Sequence, residues 1–195
     1  MSDNFLSLPV LPEKPRSTGL THVLDKGITL GSMESHLESY AEFADVWKFG
    51  WGTAYVEKLL PSKIGLLREH GITACLGGTL LEIAWSQGRA SECLDWAEQA
   101  GFTAIEVSRG VADMSMEAKW ELIRTSAQSF RVFAETGYKS AERPLTPTQW
   151  HAEIMGDLAA GADYIVAEGR ESGTVGLYDS HGMPQTEVID AALLA

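Results

Sequence analysis

Six short runs of apolar residues recur along the chain, each closing on charged residues near glycine. They are Thr21 to Gly27, Val46 to Thr53, Thr73 to Glu82, Ala104 to Gly110, Val132 to Lys139 and Tyr164 to Gly173. Apolar runs of this length bounded by glycine read as buried strands, near 20–26, 45–50, 72–77, 103–108, 130–136 and 163–168. The stretches between them read as helices. The first runs from about Ser32, a candidate N-cap, to Ala44. The second runs from Thr53 to His70, closed by Gly71. A third breaks around Gly88, resumes from Ser91 to Ala100 and stops at Gly101. A fourth opens at Ser115, a fifth begins with Thr146 and Pro147 and ends at Gly161, and Thr186 to Ala195 forms a last one. Residues 1–15, with Pro9, Pro12 and Pro15, read as a tail or covering segment. Residues 16–195 read as one domain.

Strict alternation of strand and helix predicts a parallel sheet with helices outside it. A doubly wound sheet would carry its glycines as GxGxxG at the first strand–helix turn, and that turn here is Asp25-Lys26-Gly27-Ile28. A buried parallel strand should be almost wholly apolar, so charge at strand ends needs a reason. Active sites drawn from many strand ends at the C-terminal face are the mark of a (β/α)8 barrel. The expected fold is therefore a TIM-type barrel with six βα units in this chain, where a closed barrel has eight and typically about 250 residues. An unclosed sheet exposes two edges unless a second subunit covers them, which predicts a homo-oligomer.

Composition then narrows the partners. With 195 residues, 45% hydrophobic, the chain can bury a sizeable core. A formal net charge of -12 repels nucleic acid and anionic membrane, so neither is an expected partner. Lysines and arginines gathered at strand ends in so acidic a protein suggest an anionic small substrate. Cys75 and Cys93 lack metal-type spacing and read as reduced structural residues. The polar, Pro-bearing start carries no secretory pattern, and no apolar run has the length of a membrane span, so a cytoplasmic location is expected. Trp47, Trp51, Trp85 and Trp96 read as packing residues, His22 as a core histidine, and His36, His70, His151 and His181 as surface groups.

Four blocks carry a family resemblance. Arg16 is followed by Gly19-Leu20-Thr21 and by Leu24-Asp25-Lys26-Gly27. Lys48 to Thr53 spell Lys-Phe-Gly-Trp-Gly-Thr, and Gly77 to Glu82 spell Gly-Gly-Thr-Leu-Leu-Glu. Glu168 to Gly173 spell Glu-Gly-Arg-Glu-Ser-Gly and continue into Gly176 to Asp179. In this order they resemble phosphosulfolactate synthase. The resemblance implies a (β/α)8 barrel that adds sulfite to phosphoenolpyruvate with Mg2+, as in coenzyme M and sulfolactate synthesis. The chain departs from the family pattern in three places. Ser108-Arg109-Gly110 stands for Ser-Asp-Gly, and only Lys139 remains of a lysine pair after strand five, where Tyr138 takes the other position. The blocks expected after strand six are absent. A non-catalytic or truncated relative of the heat-stress type, acting as a binding or interaction protein, is the alternative implied by the same resemblance. A different phosphate-handling barrel, an isomerase or Schiff-base aldolase, is a third.

Read with that chemistry, Glu82, Glu106, Glu135 and Glu168 at four strand ends are candidate Mg2+ ligands, because the ion takes oxygen donors. Lys139 is the expected proton donor, with Lys26 and Lys48 binding carboxylate or phosphate. Arg16 and Arg170 are expected to grip anions bidentately, with Ser172 and Gly173 adding donors and Arg109 a replacement anion ligand.

Overall fold

The computed structural model describes Ser7, Val10 to Gly137, Leu145 to Gly169 and Ser172 to Ala195. Six strands form where the apolar runs lie: β1 (His22–Asp25), β2 (Val46–Phe49), β3 (Thr73–Leu76), β4 (Ala104–Val107), β5 (Arg131–Thr136) and β6 (Tyr164–Ala167). They pair in sequence order, every pair parallel, and curl into part of a (β/α) barrel. A sheet whose order never reverses has no topological switch point, which removes the doubly wound alternative. Among the described residues β1 and β6 each pair with one strand.

Among the described residues eight α-helices connect and cover the strands: α1 (Leu30–Tyr40), α2 (Thr53–Val56), α3 (Leu60–Glu69), α4 (Gly78–Ser86), α5 (Ala90–Ala100), α6 (Met116–Ser126), α7 (Pro147–Ala160) and α8 (Thr186–Leu193). No described helix is long and apolar enough to cross a membrane. Two boundaries differ from the sequence reading. The N-cap of α1 is Thr29, not Ser32: its hydroxyl accepts the Ser32 amide at 3.2 Å, which starts the helix one turn earlier. The helix expected over 53–70 is two helices. Pro61 sits in the first turn of α3, and its missing N–H and its ring cannot be accommodated inside a continuous helix. Glu57 is extended there, and its carboxylate accepts the Leu59 amide at 2.9 Å. At α7 the expected start is met, with Thr146 and Gln149 forming a reciprocal capping box ahead of Pro147.

The period of two along each strand divides the residues between two environments. Trp47, Phe49, Ala74, Leu76, Ile105, Val107, Val132 and Ala134 face outward into one core with Met33, Leu37, Ile64, Leu67, Leu94, Ala97 and Ile123 of the helices. The alternate residues face inward. Val46, Cys75, Ala104 and Phe133 form an apolar layer there, against which Tyr164 and Val166 pack. One step further along the same strands the inward residues are Lys48, Glu106 and Glu135.

A buried ionic cluster ties the helical layer to β5. The Lys119 ammonium on α6 donates to Glu153 at 2.8 Å and to Asp157 at 2.6 Å, both on α7, and to the Glu135 backbone oxygen at 2.8 Å. Thr136 donates to Asp157 at 3.2 Å. Burial favours the neutral acid of Glu153, but Arg109 and Lys119 outweigh it and hold its carboxyl below the usual range. For Asp157 burial wins, and its carboxyl is raised. Replacing Lys119 by Ala leaves two buried carboxylates short of a cation, so stability is expected to fall by about 3–5 kcal/mol in urea denaturation.

Candidate active site

Because all six strands run the same way, their C-terminal ends gather on one side. A cavity of about 850 Å³ opens there, lined by Leu24, Lys48, Trp51, Glu106, Glu135 and Glu168 among others. The side chains reach it from β1, β2, β4 and β5 and from the turns after β2 and β6. Lys48 donates to Glu106 at 2.6 Å, across two strand positions and 58 residues of chain. The other Glu106 oxygen accepts the Gly78 amide at 3.1 Å, at the N-terminus of α4. Burial opposes the Lys48 ammonium, but Glu106, with Glu135 and Cys75 behind it, outweighs burial and raises the lysine above its ordinary value. Lys48 is thus a fixed cation at neutral pH. Burial, with Glu106 nearby, pushes the Cys75 thiol well up, so it is no nucleophile.

Glu135 and Glu168 lie on the same cavity from neighbouring strand ends. The Glu168 backbone is clamped between Thr136 and Leu177, its N–H donating at 2.9 Å and its carbonyl accepting at 2.8 Å. Gly176 folds directly over this carbonyl at φ 75°, where any Cβ would collide with the Glu168 oxygen, so only glycine closes the turn. Ser172 also lines the cavity, and Gly173 follows it at φ 62°.

Other expected site residues stand elsewhere. Glu82, 1% exposed, accepts the Ser108 hydroxyl and the amides of Gly110, Val111 and Ala112 at 3.2, 2.7 and 2.8 Å. From α4, its carboxylate organises the loop after β4 through those four donors. Arg16 sits at the opposite end of the sheet. It donates to Asp45 at 2.8 Å, just before β2, and to the carbonyls of Pro12 and Glu42, both at 2.7 Å. Lys14 donates to Ala41 at 2.7 Å beside it, so this segment covers the N-terminal end of the strands. Arg109 makes a bidentate pair with Glu153, at 2.9 and 2.7 Å, and joins the Lys119 cluster behind β5. The acid-to-base change at this position is matched by a buried carboxylate on α7. Lys139 and Arg170 lie outside the described residues.

His22 faces inward from β1, its ring 5.2 Å from Phe133, which stacks on Tyr164 at 5.0 Å. Burial first, then the Lys48 charge, lowers its pKa from 6.5 to about 4. It is a core histidine, as its sequence setting suggested. Trp47 is buried, and Trp85 and Trp96 pack against the helical core. Trp51 is not a packing residue: it is 63% exposed at the mouth of the cavity. Its position between Gly50 and Gly52, immediately after a strand, was the signal that it belongs to a turn rather than to a core face.

Among the described residues, then, the cavity is lined by one ammonium and three carboxylates. No group of three or more His, Cys, Asp or Glu among them forms a complete metal cage. Such a set fits a ligand that is itself anionic only if further cations enter with it or stand at the rim.

Comparisons with known proteins bear on the family and the fold. A family model described as (2R)-phospho-3-sulfolactate synthase (ComA) matches residues 9–194. The chain is 36% identical over 192 residues to phosphosulfolactate synthase of Bacillus subtilis (strain 168), covering 97% of this chain and 76% of that protein. It is 39% identical over 178 residues to phosphosulfolactate synthase of Methanocaldococcus jannaschii, covering 88% of this chain and 71% of that protein. Among solved structures, 3-hexulose-6-phosphate synthase superposes with a TM-score of 0.55 at 13% identity, covering 88% of this chain and 74% of that one, a likeness of fold alone.

Two outcomes follow from the placements. Between pH 6.5 and 4 the unfolded chain protonates His22 while the folded chain does not, so acidification over this window removes stability. The expected loss from this residue is about 3 kcal/mol. A His22→Asn variant should show a flatter stability profile from pH 6.5 to 4 in urea titrations. Arg16→Ala should cost about 3 kcal/mol of stability, because it strands the buried Asp45, yet leave anion binding in the cavity unchanged by calorimetry.

Proposed function

Since the chain belongs to the phosphosulfolactate synthase family, we propose that it is a lyase-type enzyme that joins sulfite to phosphoenolpyruvate, giving (2R)-phospho-3-sulfolactate. The observation that carries this reading is the convergence of Lys48, Glu106, Glu135 and Glu168 on one cavity at the C-terminal strand ends. In the proposed reaction the sulfur lone pair of sulfite attacks the methylene carbon of phosphoenolpyruvate, forming the C–S bond. The alkene electron pair moves onto the carboxylate, and a proton then adds to the phosphate-bearing carbon. No group leaves.

The chain's own residues suit these steps. Lys48, kept charged by Glu106, offers a fixed cation to the carboxylate that takes up the electron pair. Its position does not drift, because Glu106 is itself anchored on the Gly78 amide. A positioned donor of this kind costs no reorganisation as charge develops. Ser172 is at hand for an anionic group at the cavity wall. Lys139, just beyond β5, is the proposed donor of the final proton.

Mg2+ fits the donor set. Glu135 and Glu168 are carboxylates on adjacent strand ends lining the same cavity, and one or two carboxylates with waters and substrate oxygens are what the ion takes. Glu106 suits it less, since both its oxygens accept hydrogen bonds. When bound, the ion would supply positive charge beside the substrate's carboxylate.

The test is product formation. Purified protein incubated with sulfite, phosphoenolpyruvate and Mg2+ should yield phosphosulfolactate by mass spectrometry, and chelation of Mg2+ should abolish it. Lys48→Met is expected to lower kcat/KM by about 100-fold or more, the scale of losing one preorganised electrostatic contact. Absence of product from correctly folded protein would sink the reading in favour of a non-catalytic relative.

A further inference from the structure

The turn after β2 is strained where it is most exposed. Trp51 is the one described residue other than glycine with a positive φ, 55°, a conformation rarely adopted by a bulky side chain. Both neighbours are glycines, and at Gly52 the backbone itself calls for one. A Cβ at Gly50 would come within 2.6 Å of Leu24 Cδ1, and Gly52 has φ 75°. The turn is also held fast. Gly50 donates to the Asp25 carbonyl at 2.8 Å, and its own carbonyl accepts the Thr53 amide at 3.0 Å and the Thr53 hydroxyl at 2.8 Å.

This rigid frame does not serve packing, because the indole it presents is 63% exposed. A strained backbone that gains no burial points to a role outside the core. What the indole does meet is the Lys26 ammonium, which lies 5.3 Å from the ring centroid. Lys26 follows β1 and Trp51 follows β2, so two adjacent strand ends bring a cation against the π face of a residue that lines the cavity. Inside, the described lining has one lysine against three glutamates. A substrate with two anionic ends therefore needs positive charge at the rim as well as at Lys48.

The geometry points to Trp51 as a positioning residue of an oxyanion subsite at this mouth: its indole face holds the Lys26 ammonium where the outward anionic end of a bound phosphate ester or sulfite reaches it. The inference rests on the anionic-substrate reading above and deepens it. The Gly50–Trp51–Gly52 turn fixes the indole, the indole limits where the ammonium travels, and the ammonium meets the oxyanion. An aromatic face is required at this position, and indole gives the strongest cation contact.

The experiment compares wild type with Trp51→Phe, Trp51→Leu and Trp51→Asn in calorimetric titrations with phosphoenolpyruvate, and in turnover with sulfite. Circular dichroism and thermal melts check each fold. Trp51→Asn suits left-handed backbone and keeps the test valid should Trp51→Leu unfold. Expected is binding weakened about 5-fold or more in Trp51→Leu and Trp51→Asn, the worth of a cation–π contact, with near wild-type binding restored in Trp51→Phe. The loss should appear in KM and leave kcat within about 2-fold, since the contact binds rather than reacts. A change in tryptophan emission on phosphoenolpyruvate addition should be present in wild type and absent in Trp51→Phe. Binding within 2-fold of wild type in both Trp51→Leu and Trp51→Asn would overturn the inference while leaving the proposed function standing. A folded wild-type chain that neither binds phosphoenolpyruvate nor forms product would overturn both.

Discussion

Parallel pairing of six strands in sequence order is the constraint from which the rest of the molecule follows. It sends every C-terminal strand end to one side and buries both faces of the sheet, the outer under helices and the inner around a layer of Val46, Cys75, Ala104 and Phe133. Charge can then enter the inner face only near the strand ends, and only with a partner. Lys48 and Glu106 meet that condition together, at 2.6 Å, and Gly78 completes the pair. The cavity owes its polarity to that requirement.

The same constraint governs charges that do not face the cavity. Asp45 is buried before β2 and is answered by Arg16 and by the Thr21 amide at 2.9 Å. Asp25, at the end of β1, accepts the amides of Gly27 and Ile28, at 2.7 and 2.9 Å, and the Trp47 indole at 3.2 Å. Glu153 and Asp157 are answered by Lys119 and Arg109. Charged residues in this fold are thus of two kinds. Those at the N-terminal end, in the outer layer or shaping a loop are bound to partners within the protein, whereas those on the inner face at the C-terminal ends keep a surface toward the cavity.

That division explains which parts of the site were legible in the sequence. Lys48, Glu106, Glu135 and Glu168 were found because strand and period together place a residue on a face and at an end, and both are local properties. Arg16 and Glu82 met the same criterion of a charge within a motif block, yet one belongs to the opposite end of the sheet and the other to α4, turned onto the loop after β4. What distinguishes them is a partner 26 to 30 residues away, and no spacing along the chain announces it. The single helix expected over 53–70 failed for a local reason, the proline at 61, that was available in the sequence. Trp51 was read as packing because most tryptophans are, although two flanking glycines marked a turn.

By itself the sequence determined the strand and helix order, the parallel class of the sheet, the helix caps at Ser115 and Thr146, and the family through its four blocks. These depend on periodicity, propensity and short motifs, which act over a few residues. Tertiary structure alone decided that Arg109 answers Glu153, that Glu82 gathers the loop after β4, that His22 lies neutral beneath Lys48, and that Trp51 stands at the cavity mouth under Lys26. Each of these is a choice of partner across the barrel. Such choices are set by which ends and faces the curled sheet brings within hydrogen-bonding distance, and by the cost of leaving a buried charge without a partner.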